Sequence, residues 1–109
     1  MGWLLLGAAI VLELVATMSL KASDGMSRWG YAALTIGCYV SAFYLLSLAL
    51  RSIGIGPAYA IWSGVGTVGA AVLAYLIFGE RMTPLTIGGA ALVVVGVVVM
   101  GVGVAAAEA

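Results

Sequence analysis

Histidine is absent from this chain, cysteine occurs once, and charge of either sign is scarce, with four Lys/Arg and four Asp/Glu in 109 residues. Without an imidazole, and with Cys38 as the lone thiol, Ser/His and Cys/His nucleophilic catalysis, imidazole or thiolate metal sites and internal disulfides are excluded. Four cations balanced by four anions do not build a nucleic-acid-binding patch. Charged residues make up 7% of the chain, against about 25% in a typical soluble domain. The hydrophobic set supplies 65%, and the mean hydropathy is +1.28. A water-soluble monomer cannot cover itself with that composition. Soluble enzymes and nucleotide-binding domains are therefore excluded, and no enzyme activity or cofactor is expected.

What is present is apolar sequence divided by its few charges. A helical membrane crossing takes about 20 apolar residues, so four crossings take about 80 and fill most of the chain. Lys21, Asp24 and Arg28 mark a first gap, Arg51 a second, and Glu80 with Arg81 a third. The reading is an all-α integral membrane protein, one four-helix transmembrane domain over residues 1–109, with spans at 2–20, 29–50, 57–78 and 84–106. Gly25, Gly54, Gly56 and Gly79 fall in the gaps. Pro57 and Pro84 stand where a first helical turn tolerates a missing N–H, and Thr83 reads as an N-cap. Trp3 and Trp29 lie near span ends, as interfacial anchors do. The first apolar run lacks a basic segment before it and contains Glu13, so it is expected to persist as a span rather than be cleaved. An even number of spans puts Arg51 on the side of the termini and Lys21, Arg28 and Arg81 on the other. That bias is too even to dictate an orientation, and it fits N-outside insertion or a chain that inserts both ways.

Of the eight charged residues, Glu13 is the one inside an expected span. It is ten residues from Trp3 and eight from Lys21, roughly 15 Å and 12 Å along a helix, hence near the midplane. An ionisable group there costs on the order of 3 kcal/mol on insertion scales and usually marks an ion, proton or substrate pathway. The plainer alternative is a protonated Glu bonded to a neighbouring helix. Desolvation opposes the charged form of a carboxyl group, which suits a carboxylate at this depth to carry protons. Ala9 and Ala16 on the same face are small enough to leave room beside Glu13, and Thr17 offers a hydroxyl one turn on. In the third span Tyr59, Trp62, Ser63 and Gly66 share a stripe at i, i+3, i+4 and i+7, and Tyr39 and Phe43 stand four apart in the second. Aromatic faces attract cations by about 2 kcal/mol or more where water is excluded. A midplane Glu among Tyr and Trp suits a lipophilic cation, with ordinary aromatic packing as the alternative.

Gly64, Gly66 and Gly69 weaken the third helix, and a hinge is expected at Gly64–Val65–Gly66. In the fourth span Gly89, Gly96 and Gly103 recur every seven residues, a small-residue stripe against which another helix can pack. One carboxylate among three lining helices encloses little volume. A homodimer with two Glu13 at a shared site, titrating as a coupled pair, is the economical assembly.

Together these residues resemble the small multidrug resistance transporters from end to end. The matching stretches are Glu13 with Leu20–Lys21 and Asp24–Gly25, the string Ala58–Tyr59–Ala60–Ile61–Trp62–Ser63–Gly64–Val65–Gly66, and Gly89, Leu92, Gly96 and Val97. The third-span string is specific, whereas the glycine pattern alone is weak. The resemblance implies a four-helix protomer working as an antiparallel dimer in a bacterial inner membrane, exchanging protons for cationic compounds by alternating access. It implies Glu13 as the shared proton and substrate site, with Tyr39, Tyr59, Trp62 and Ser63 around it. Gly89, Leu92, Gly96 and Val97 would form the dimer contact. The proton gradient is then the driving force, and the partners are protons, lipophilic cations, membrane lipid and a second copy. Guanidinium exporters of the family usually have Trp where this chain has Ala16 and Ser where it has Ala42, so the resemblance is to the quaternary-ammonium and multidrug branch. Thr67–Val68–Gly69–Ala70 looks more like the guanidinium branch, and guanidinium export is the alternative within the family. The alternative of another class is a non-transporting membrane subunit that needs a partner chain.

Overall fold

The computed structural model describes residues 1–108, and they form four helices: α1 (Gly2–Ala22), α2 (Trp29–Ala49), α3 (Ile55–Phe78) and α4 (Pro84–Glu108). All four are long and apolar enough to cross a membrane. Four boundaries differ from the sequence reading: α2 ends one residue earlier, at Ala49, α4 runs two residues further, to Glu108, and the end of α1 and the start of α3 also move. α1 continues past Leu20 through Lys21 to Ala22, because a lysine in the last turn complements the helix dipole rather than ending the helix. α3 begins at Ile55, two residues before Pro57. Its N-cap, Gly54, is extended, and Gly54 O accepts the first intrahelical bond from Ala58 N–H at 3.1 Å. Pro57 therefore occupies the third helical position, still within the turn whose N–H groups have no helical acceptor. Thr83 caps α4 as expected, its Oγ1 accepting from Thr86 N–H at 3.1 Å. Gly79 turns the chain out of α3 at φ 69°, a left-handed conformation that glycine adopts without steric cost.

The first gap is ordered by the side chains of Ser23 and Ser27, the latter donating to Asp24 O at 2.7 Å. Ser23 Oγ donates to Leu20 O at 2.6 Å and accepts from Met26 N–H at 3.0 Å, while Ser23 O accepts from Arg28 N–H at 2.9 Å. These bonds hold Asp24, Gly25 and Met26 at positive φ, reversing the chain in a few residues.

The chain divides into two compact units, the first Met1–Ile53 and the second beginning at Gly54. In the first, α1 packs along α2. The seam is built from small residues seven apart: Gly2, Ala9 and Ala16 on α1 with Ser23 at its C-cap, and Thr35, Ala42 and Ala49 on α2, with all four alanines 0% exposed. Lipid offers no hydrophobic drive for helix association, so close backbone approach and dispersion must supply it, and a seven-residue spacing keeps the small side chains on one face. Gly2 shows how tight the fit is, since a Cβ there would collide with Ser52 Oγ and lie 3.1 Å from Ile53. The room expected beside Ala9 and Ala16 is thus taken up by the partner helix.

In the second unit, α3 packs against α4. Gly64 is buried, and its missing Cβ leaves the space that Val97 fills, with Val93 at 3.8 Å. α3 is helical without interruption through Gly64, Val65 and Gly66. An apolar groove of about 350 Å³ runs beside this contact, lined by Val65, Val68, Gly69, Val94 and Val98 among others. Ala90, Val93, Val97 and Val104 form the half-buried side of α4. Gly89, Gly96 and Gly103 meet nothing within 4 Å, and Leu92 is 73% exposed.

Candidate functional site

Glu13 stands near the middle of α1, eleven residues from its start and nine from its end. It is half-buried, and the fates of its two oxygens differ. Oε1 accepts from Thr17 Oγ1 at 3.2 Å, the i, i+4 spacing that sets side chains on one helical face. Oε2 is buried and has no hydrogen-bond partner. A buried unpaired acceptor costs about 1–3 kcal/mol, and more when charged, so this oxygen is the atom in the unit most relieved by a proton or a cation.

The second helix completes the arrangement. Thr17 Oγ1 lies 2.7 Å from Tyr39 OH on α2. That distance depends on the seam, because Ala16 and Ala42, adjacent to Thr17 and one turn from Tyr39, bring the two backbones close enough for a threonine to reach across. The Tyr39 ring stacks on Phe43 with centroids 6.4 Å apart and planes inclined by 21°. Phe43 is 58% exposed, so the aromatic pair runs from the Thr17 hydroxyl toward the outside of the helix pair.

The structure thus brings Glu13, Thr17, Tyr39 and Phe43 together within the first unit. Ala9, expected to line the site, is wholly covered in the seam. In the second unit, Tyr59, Trp62, Ser63 and Gly66 fall on α3 as the periodicity requires, with Tyr59 71% exposed and the other three half-buried. Gly64, expected at a hinge, is a packing position against Val97, and Val97, expected at a dimer contact, faces α3. Gly89, Leu92 and Gly96 remain uncovered within the unit. The Thr17–Tyr39 bond was not legible in one dimension. The i, i+4 spacing placed the threonine beside Glu13, but nothing in the spacing of either helix says which α2 hydroxyl meets it.

The chain's relatives bear on what this site serves. The Small Multidrug Resistance protein family profile matches residues 1–94. A quaternary ammonium compound-resistance protein, QacE, of Escherichia coli is 46% identical over 91% of this chain and 90% of its own length. A putative ethidium bromide resistance protein of Escherichia coli is 47% identical over 74% of this chain and 70% of its own length. A guanidinium exporter of Escherichia coli strain K12 is 36% identical over 90% of this chain and 93% of its own length. A family match over most of the chain, joined to four membrane-length helices and a carboxylate midway along the first, places this chain in the small multidrug resistance family, as a multi-pass inner-membrane transporter and not an enzyme.

Proposed function

We propose that the chain is a proton-coupled exporter of quaternary ammonium and other lipophilic aromatic cations, working by alternating access with Glu13 binding either protons or substrate. The observation that carries this reading is the buried, unpartnered Oε2 of Glu13, midway along a membrane-length helix. A carboxylate cannot hold a proton and a cation at one oxygen at once, and that exclusion couples two opposed fluxes. Tyr39 and Phe43 supply aromatic faces near it, and on this reading Thr17 in the first unit and Tyr59, Trp62 and Ser63 on α3 contribute to the substrate's path. The relatives named for quaternary ammonium and ethidium resistance support a bulky cation, and the seam residues Ala16 and Ala42 bring no polar group to grip a small planar one.

Guanidinium export is the second reading, favoured by the 36% identity to a guanidinium exporter and by Thr67–Val68–Gly69–Ala70. Proton release from the detergent-solubilised protein separates the two. Ethidium is expected to release protons, and release with guanidinium alone would move the chain to the other branch.

The transporting form in this proposal is an antiparallel homodimer joined through Gly89, Leu92 and Gly96, whose face α3 leaves uncovered, with Val97 beside it and Gly64–Gly66 as the flexing segment. Antiparallel pairing of identical chains requires both orientations in the membrane. Reporter fusions at the C-terminus are therefore expected to be active on both sides. Activity confined to one side would favour a protein that needs a different partner chain.

A further inference from the structure

Among the described residues, Glu13 Oε2 is the buried side-chain polar atom that lacks a hydrogen-bond partner, while Oε1 of the same carboxylate is held. The asymmetry has a definite source. Thr17 has one hydroxyl proton and donates it to Oε1 at 3.2 Å, so at its 2.7 Å contact with Tyr39 the threonine oxygen accepts and the tyrosine hydroxyl donates. The chain of donors runs from Tyr39 through Thr17 to Oε1, with both protons committed. A donor aimed at a carboxylate favours its charged form, and a hydroxyl that is itself accepting a bond donates more strongly. α2 is the helix packed on α1, and on this stretch its titratable groups are Tyr39 and the half-buried Cys38. No charged side chain of α2 stands opposite Glu13.

We infer that Thr17, oriented by Tyr39, is a positioning residue that ties down Oε1 and leaves Oε2 as the single atom at which a proton and a cation replace one another. The inference rests on Glu13 being the shared proton and cation site. When the cation arrives, the proton on Oε2 leaves to water as hydronium, and the bond from Thr17 to Oε1 persists in both states. Commitment of the Tyr39 hydroxyl to Thr17 leaves the face of its ring, backed by Phe43, as the part of the tyrosine offered to the cation.

The test is ethidium binding to the purified full-length protein as a function of pH. Thr17→Val keeps the side-chain shape and removes the donor, so protons compete more effectively and the pH of half-maximal binding is expected to rise by about one unit. Tyr39→Phe is expected to move it the same way by less, and Thr17→Ser to leave it where it was. Should Thr17→Val fail to accumulate, Tyr39→Phe against Thr17→Ser carries the comparison. Binding lowered equally at every pH, or Thr17→Ser shifted as far as Thr17→Val, would overturn the inference. Loss of binding in Glu13→Gln with an unshifted Thr17→Val would overturn it alone, whereas ethidium binding that titrates normally in Glu13→Gln would overturn the reading of Glu13 itself.

Discussion

Glu13→Gln is expected to abolish coupled proton release and to weaken cation binding by roughly three orders of magnitude. Gln retains the shape of Glu and an acceptor for Thr17, so α1 and its seam with α2 stay intact. What disappears is the ionisable oxygen. A unit charge pair at 4 Å interacts by about 4 kcal/mol at an effective dielectric of 20, and each 1.4 kcal/mol is tenfold in affinity. The substituted amide also turns a donor or a neutral acceptor toward the space that Oε2 occupies, which repels or ignores a cation where the carboxylate attracts it. Ethidium titration with simultaneous pH recording measures both quantities on one sample. Persistent proton release from the Gln variant would mean that another group carries the proton.

Gly64→Ala is expected to destabilise the α3–α4 unit by about 1–3 kcal/mol, the usual cost of inserting a methyl group into a filled contact. The added Cβ runs into Val97, a short branched side chain with few rotamers into which to retreat. Val97→Ala should therefore rescue Gly64→Ala, leaving the double variant more stable than Gly64→Ala alone. Such non-additivity is the signature of two residues sharing one space. Thermal unfolding in detergent of the wild type, both single variants and the double variant gives the cycle. Additive effects would show that Gly64 matters through helix flexibility and not through this contact.

These two expectations differ in how far each was visible before the fold. Glu13 stands out in any linear reading, because a carboxylate among twenty apolar residues carries an insertion cost that usually marks an ion, proton or substrate pathway. The four helices were equally plain, since their ends coincide with the few charges, with Gly54, Gly79 and Thr83, and with the run lengths that a bilayer demands. The third-span stripe of Tyr59, Trp62, Ser63 and Gly66 follows from helical period alone. Gly64 was legible as unusual, but its contact was not. A helical glycine reads alike as a flexible point or as a place for close approach, and the fold supplies the close approach, with Val97 in the space a Cβ would take.

Composition and periodicity thus determined the solvent, the number of crossings and the residue that carries charge to the midplane, because each is a property of one helix facing lipid. Tertiary structure decided the rest. Ala9, Ala16 and Ala42 could equally have bordered a cavity or a seam, and they close a seam. That closeness lets Thr17 reach Tyr39 and makes the two oxygens of Glu13 unlike. Small side chains state only that two surfaces are able to meet, and which hydroxyl arrives at 2.7 Å is settled when the helices pack.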